Sequence, residues 1–283
     1  MSLRSLFLPH SALLLLVAFM PVQAWSSEKV YGPFQKLLSE YVIEQTLPDN
    51  GLVTAFDYAE ALVDDSTERL LTEQRKVLAN FDPGKLEGRA ESVAFWINAY
   101  NFFMVDQILT ERPGDTLVSS VWDYGGRINP FVDSVFQREK FNVGGRYLSL
   151  DGIEKGILLG KEYQTKGWKD ARVHFAVNCA STGCPPLRDR IYTEANLDAL
   201  LTENTRRALN TQRHLHVESG QMLVTELFKW YEDDFIESSG SVRAFIQKWA
   251  EPERRKQIDA TSGMKFSEYE WLLNRPEHFP ELQ

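Results

Sequence analysis

The sequence predicts a mixed α/β chain (α+β in layout). It reads as a mostly helical single domain around a small sheet with two β-hairpins. Three observations carry this. Apolar residues recur at helical spacing through the first third. One long segment, residues 91–109, is apolar on nearly every side, as a buried helix is. Two pairs of β-rich runs, each joined by a short glycine-containing turn, fall later in the chain. No stretch rich enough in Gly, Ser or Pro to act as a linker divides the chain, so residues 25–283 read as one unit.

Residues 1–24 read as a secretory signal rather than fold. Arg4 supplies a positive start, residues 12–20 form a short apolar run, and Val22-Gln23-Ala24 places small residues where a signal peptidase cuts. The run is too short to span a bilayer, which takes roughly 20 residues. The expected address is periplasmic or secreted, with no transmembrane anchor after cleavage. The chain carries 31 basic and 40 acidic residues, a net charge of −9. Removing Arg4 with the signal deepens that charge. An acidic chain without a basic cluster argues against nucleic acid as a partner. A small-molecule, peptide or envelope partner stays open.

Taken in order, Phe34, Leu37, Leu38, Tyr41 and Val42 form an amphipathic stripe that predicts a helix over 33–45. Residues 48–51 (PDNG) are a turn, and 52–58 a short extended or helical lead-in. Asp65 followed by Glu68 resembles a capping box for a helix reaching Phe81. Within 91–109, Asn98 and Asn101 share one face. Buried amides need partners, so they either tie the helix to a neighbouring backbone or orient a reacting group. Residues 115–140 form a long excursion carrying Trp122, Tyr124, Phe131 and Phe136, with turns at Gly125-Gly126 and Asn129-Pro130. Residues 141–150 read as a hairpin over Gly144-Gly145. Asp151 is expected to cap the next helix, with Glu154 as its N3 partner. A strand over 172–177, a helix over 194–209, a hairpin over 214–224 and helices over 226–235 and 241–250 follow. Residues 264–274 are expected to dock back through Phe266, Tyr269 and Trp271.

The chemistry concentrates in residues 172–187, RVHFAVNCASTGCPPL, which hold both cysteines. Two readings stand. In an oxidising compartment, Cys179 and Cys184 form a disulfide across a small loop, stabilising the fold by roughly 2 kcal/mol in the chain-entropy model. Alternatively, Cys179 at the end of the strand is a nucleophile. His174 then serves as base, and Asn98 or Asn101 supplies the orienting amide of a Cys-His-Asn site. On this reading the protein is a cysteine-dependent hydrolase or acyltransferase on amide or ester bonds. On the first it is a non-enzymatic binding module. His214 and His216 fall on one strand face without a third ligand at a convincing spacing, so no metal is expected. No phosphate loop, dinucleotide fingerprint, GxSxG, HExxH or CxxC occurs, and no cofactor is expected.

Five motifs occur in one order: AFWINAYN (94–101), LSLDGIEKGIL (148–158), VHFAVNCASTGCPPL (173–187), LFKWYEDDF (227–235) and YEWLLN (269–274). Together they resemble the family called domain of unknown function 547, over residues 34–274. The resemblance maps the family's recurring polar positions onto Asn98, Asn101, Glu154 and His174, and onto Asn178, Cys179, Cys184 and Asp234. It also implies kinship with papain-like and transglutaminase-like cysteine enzymes. The chain departs at Lys155, where a histidine usually follows the Ile-Glu pair, and at Glu270, where aspartate is usual. If that histidine were the general base, this chain would be inactive or use another.

Overall fold

The computed structural model describes residues 26–126 and 132–283. The expected signal segment 1–24 and the expected Asn129-Pro130 turn with Phe131 lie outside the described residues. The short helix α1 (Ser27–Val30) leads into α2 (Gly32–Tyr41). The predicted stripe faces the core as far as Tyr41, but the helix stops there. Val42 begins β1 (Val42–Thr46), which pairs antiparallel with β2 (Leu52–Phe56). Val42, Ile43 and Thr46 are β-branched, and the turn at 48–51 brings the two runs together; local strand preference overrides the helical stripe. Next come α3 (Tyr58–Val63) and α4 (Asp65–Asn80). The cap of α4 lies one residue earlier than predicted. Asp64 takes the Ser66 N–H at 2.7 Å.

The helix α5 (Arg89–Thr110) is the axis of the larger core, and every residue from 92 to 109 is buried. Its Phe102 and Phe103 pack against Phe34 and Phe141, at 5.6 and 4.7 Å between centroids. Among its described residues, the excursion that follows holds only single helical turns, Pro113–Asp115 and Val121–Tyr124, and buries Val121 and Tyr124. The hairpin of β3 (Phe141–Val143) and β4 (Arg146–Leu148) forms as expected. Gly144 and Gly145 both have positive φ, and a Cβ on Gly144 would lie 2.6 Å from the Phe81 carbonyl oxygen.

Beyond the hairpin the sequence expectations diverge further. Residues Gly152–Leu158 form a π-helix, closed by the Leu159 N–H on the Glu154 carbonyl at 2.9 Å. Asp151 makes no side-chain cap; Ser149 Oγ accepts the Gly152 N–H instead. After α6 (Lys161–Thr165), residues Ala171–Phe175 form a 3-10 turn rather than a strand. Asp170 caps it through the Arg172 N–H at 3.0 Å. All five residues are buried, so the apolar alternation there has no solvent face to report. Then α7 (Leu197–Leu209) starts three residues late, because Thr193 and Asn196 exchange side chain–backbone bonds ahead of it.

The hairpin of β5 (Leu215–Glu218) and β6 (Gln221–Thr225) matches expectation. The predicted helix over 226–235 is broken at Tyr231 into α8 (Leu227–Trp230) and α9 (Glu232–Ser239). The helices α10 (Val242–Trp249) and α11 (Pro252–Asp259) lead to β7 (Gly263–Ser267), which joins β6 in parallel. The architecture is thus mixed α+β, with two two-stranded sheets and one of three strands among the described residues. No helix among them is long and apolar enough to cross a membrane. A second core gathers Phe175, Phe228, Phe235 and Phe245. Cys179 and Trp271 pack against both cores, which therefore meet at the cysteine loop.

The backbone at that junction is irregular, and asparagine amides satisfy it. Asn98 exchanges two bonds with the Tyr192 backbone, at 2.7 and 2.9 Å. Asn101 donates to the Ala176 carbonyl at 2.9 Å and accepts the Asn178 N–H at 2.8 Å. These two residues act as ties between α5 and the loop backbone. We expect Asn101→Ala to strand a buried N–H and a buried C=O, costing about 3 kcal/mol. Thermal melts should show Tm falling by roughly 10 °C; a loss under 2 °C would contradict the clamp.

Candidate functional site

A cavity of about 370 Å³ opens where the two cores meet. Four aromatic residues form one wall. Trp271 lies 4.9 Å from Trp122, 5.6 Å from Trp230 and 4.6 Å from Tyr269, centroid to centroid. Tyr269 and Trp271 come from the segment after β7, so the tail docks as its sequence suggested, while Phe266 stays partly exposed. The tail is stitched to the cysteine loop by backbone bonds: Thr182 to Leu272 at 2.7 Å, Gly183 to Glu270 at 2.9 Å, and Asn274 to Ala180 at 3.1 Å. A Cβ on Gly183 would lie 2.8 Å from the Tyr269 ring, so only glycine admits this approach.

Cys179 and Cys184 are joined as a disulfide in the cavity wall. The loop between them is shaped by Asn178. Its side-chain oxygen accepts the Ala180 N–H at 2.9 Å, its amide donates to the Pro185 carbonyl at 2.8 Å, and Asn274 donates to that same oxygen at 3.1 Å. Ala180 consequently sits at φ +58°, a left-handed conformation that an alanine adopts at a cost. The Tyr269 and Ser181 hydroxyls lie against both sulfurs.

His174 closes the floor and is fully buried. Its Nε2 lies 2.9 Å from Asp234 Oδ2. Its Nδ1 faces Glu154 Oε1 at 3.6 Å, an ion-pair distance rather than a hydrogen bond. The Tyr231 ring stacks on the imidazole with centroids 4.0 Å apart. The break between α8 and α9 is what turns Tyr231 inward. Asp234 also holds Lys169 at 2.6 Å, and Lys169 reaches Glu237 at 2.6 Å. The result is a chain of alternating charges leading out of the cavity. Burial alone would lower the His174 pKa, but Asp234 and Glu154 outweigh it and raise it above 6.5. Burial opposes ionisation of Asp234 too, and the bonds from His174 and Lys169 overcome this and lower its pKa. Burial, and then Glu154, raise the Tyr231 phenol well above its ordinary value.

The structure brings Glu154, His174, Cys179 and Cys184 to one cavity and sets Asp234 directly behind the histidine. Glu154 is not a helix cap; the π-helix carries it inward to His174. Asn98, Asn101 and Asn178 serve the backbone around the cavity. Both His174 nitrogens face carboxylates, and the groups near the Cys179 sulfur are Cys184, Ser181 and Tyr269. Lys155 pairs with Asp151 at 2.8 Å on the cavity rim. His214 is buried under the Cys184 backbone; burial, then Arg213, lower its pKa to about 3, so it stays neutral. No group of three or more metal-ligating side chains occurs among the described residues. Sequence reasoning missed Tyr231, Ser181 and Lys169. Tyr231 and Ser181 carried a signal, since each lies in one of the family-like motifs; Lys169 carried none.

The fold and cavity define a class: a mixed α+β domain with a cystine in the wall of an aromatic pocket. Residues 83–208 match the family model described as "Protein of unknown function, DUF547". That span holds α5, the π-helix, His174 and both cysteines; Asp234, Tyr269 and Trp271 lie beyond it. No curated protein and no solved structure matches the chain.

Two outcomes follow. The raised His174 pKa contributes stability that is full below pH about 6.5 and is lost as pH rises through the folded value. The lowered Asp234 pKa contributes stability present above pH about 3.8 and lost as pH falls. The Tm gap between wild type and Asp234→Asn should therefore be widest between pH about 4 and about 6.5. It should narrow above that window without vanishing, because Lys169 stays charged. A flat gap from pH 5 to 9 would refute the pairing. Separately, Gly183→Ala should force Tyr269 away and cost about 1–3 kcal/mol, read in denaturant melts; no loss of stability would show that the contact is not tight.

Proposed function

We propose that this protein is a ligand-binding module whose cystine loop holds one wall of an aromatic pocket. The observation that carries the reading is the cavity at the junction of the two cores, where the joined sulfurs lie beside Tyr269 in a wall shared with three tryptophans. Binding pockets of roughly 300–1,000 Å³ with mainly apolar walls and a few fixed polar groups suit small organic ligands. Stacked aromatic walls favour a flat, largely apolar molecule. Glu154 and the Asp151–Lys155 pair offer polar anchors at the floor and rim. The paired cysteines support an exported protein in an oxidising compartment such as the periplasm. The neutral fluorophore N-phenyl-1-naphthylamine tests the pocket. Its fluorescence should rise saturably with protein, and Trp271→Ala should weaken binding about tenfold, or ~1.4 kcal/mol. Unsaturable binding, or binding unchanged in that variant, counts against the pocket.

A second reading keeps a cysteine-dependent hydrolase or acyltransferase for the reduced protein, because Cys179 and His174 line one cavity. It requires the disulfide to open and the His174 ring to leave a carboxylate. Iodoacetamide labelling of the reduced protein near pH 7 separates the two. Cys179 alkylated no faster than a free model thiol would end the enzymatic reading.

A further inference from the structure

The hydrogen bonds around the two sulfurs are unequal. The Cys179 N–H donates to Cys184 Sγ at 2.9 Å. The Tyr269 O–H donates to Cys184 Sγ at 3.2 Å, and Ser181 Oγ donates to the Tyr269 oxygen at 3.4 Å. Tyr269 is thus primed as a donor by the serine behind it. The two hydroxyls also lie 3.3 and 3.4 Å from Cys179 Sγ, but the backbone N–H is given to Cys184 alone. Exposure is unequal in the opposite sense. Both sulfurs belong to residues lining the cavity, but Cys184 is buried whereas Cys179 is half-buried.

Thiol–disulfide exchange depends on these two properties. The attacked sulfur must be reachable, and the departing sulfur leaves faster when its thiolate is stabilised. Hydrogen bonds to an anionic acceptor are roughly twice as strong as neutral ones. Donors that are weak partners of a disulfide sulfur become strong partners of a thiolate, which is differential stabilisation of the charge as it forms.

We infer that the cavity disulfide is a thiol-exchange site for small thiols, with Cys179 receiving the incoming sulfur and Cys184 leaving. The thiolate RS⁻ attacks Cys179 Sγ, forming a Cys179–S–S–R mixed disulfide. The Cys179–Cys184 bond breaks, and its electron pair goes to Cys184 Sγ, held as thiolate by the Cys179 N–H and the Tyr269 hydroxyl. A second RS⁻ attacks the R sulfur and releases RSSR with Cys179 as thiolate. Overall two RSH are oxidised to RSSR and the cystine is reduced to two cysteines. The aromatic wall favours a thiol carrying a flat apolar group. This inference concerns the sulfurs and does not require the pocket to hold an unreactive ligand.

The test uses the oxidised protein with 2-mercaptoethanol and benzyl mercaptan, acid-quenched and read by intact mass and peptide mapping. The native cystine should open at least tenfold faster than the oxidised peptide Cys-Ala-Ser-Thr-Gly-Cys, with the adduct on Cys179. Tyr269→Phe should slow opening about tenfold while leaving Tm within a few degrees. Cys184→Ser, incubated with benzyl disulfide, should accumulate a stable adduct on Cys179. An adduct on Cys184, a native rate at or below that of the peptide, or an unchanged rate in Tyr269→Phe overturns the inference.

Discussion

Backbone polar groups buried away from water must be paired, and the region around the cavity has little regular secondary structure with which to pair them. The structure resolves this with asparagine. Asn98 and Asn101 reach out of α5 to the backbone at 176–178 and 192. Asn204 reaches from α7 to the Phe175 and Pro186 carbonyls. Asn178 and Asn274 brace the cysteine loop from within and from the tail. A carboxamide suits this work because it donates and accepts at once without charge. The positions of His174 and both sulfurs all depend on these amides, since the chain bearing them is otherwise a 3-10 turn and a loop.

Charge is handled by alternation rather than by exposure. Glu154, His174, Asp234, Lys169 and Glu237 succeed one another from the cavity floor outward, acidic and basic groups in turn. A buried imidazolium is tolerable only with such partners. The Nε2 bond to Asp234 and the Tyr231 ring against the imidazole make His174 a fixed part of the floor. Lys155 turns to Asp151 on the rim and stays apart from this series of groups.

Strongly periodic segments were legible in the sequence: α4, α5, α10 and two hairpins lie close to where pattern and turn chemistry predict them. The errors share a cause. The segment at 171–175 is buried on all sides, so its alternation carried no information about an outward face. The break at Tyr231 and the late parallel strand β7 are set by contacts distant in sequence, namely His174 and β6. At the site, the cysteine stretch, Glu154, His174 and Asp234 were visible as members of motifs, but their proximity was not. The Tyr269 hydroxyl beside the sulfurs was not, because Tyr269 lies 85 residues from Cys184.

The π-helix at Gly152–Leu158 bears on how such a site arises. A π-turn is an α-turn carrying one residue too many. The extra residue is absorbed within a single wide loop, so the elements on either side keep their packing. It rotates the side chains after it by about 100° relative to an uninterrupted α-helix. Ile153 and Leu158 of the same segment are core residues, so the wide turn places one carboxylate in the cavity while its apolar neighbours stay buried.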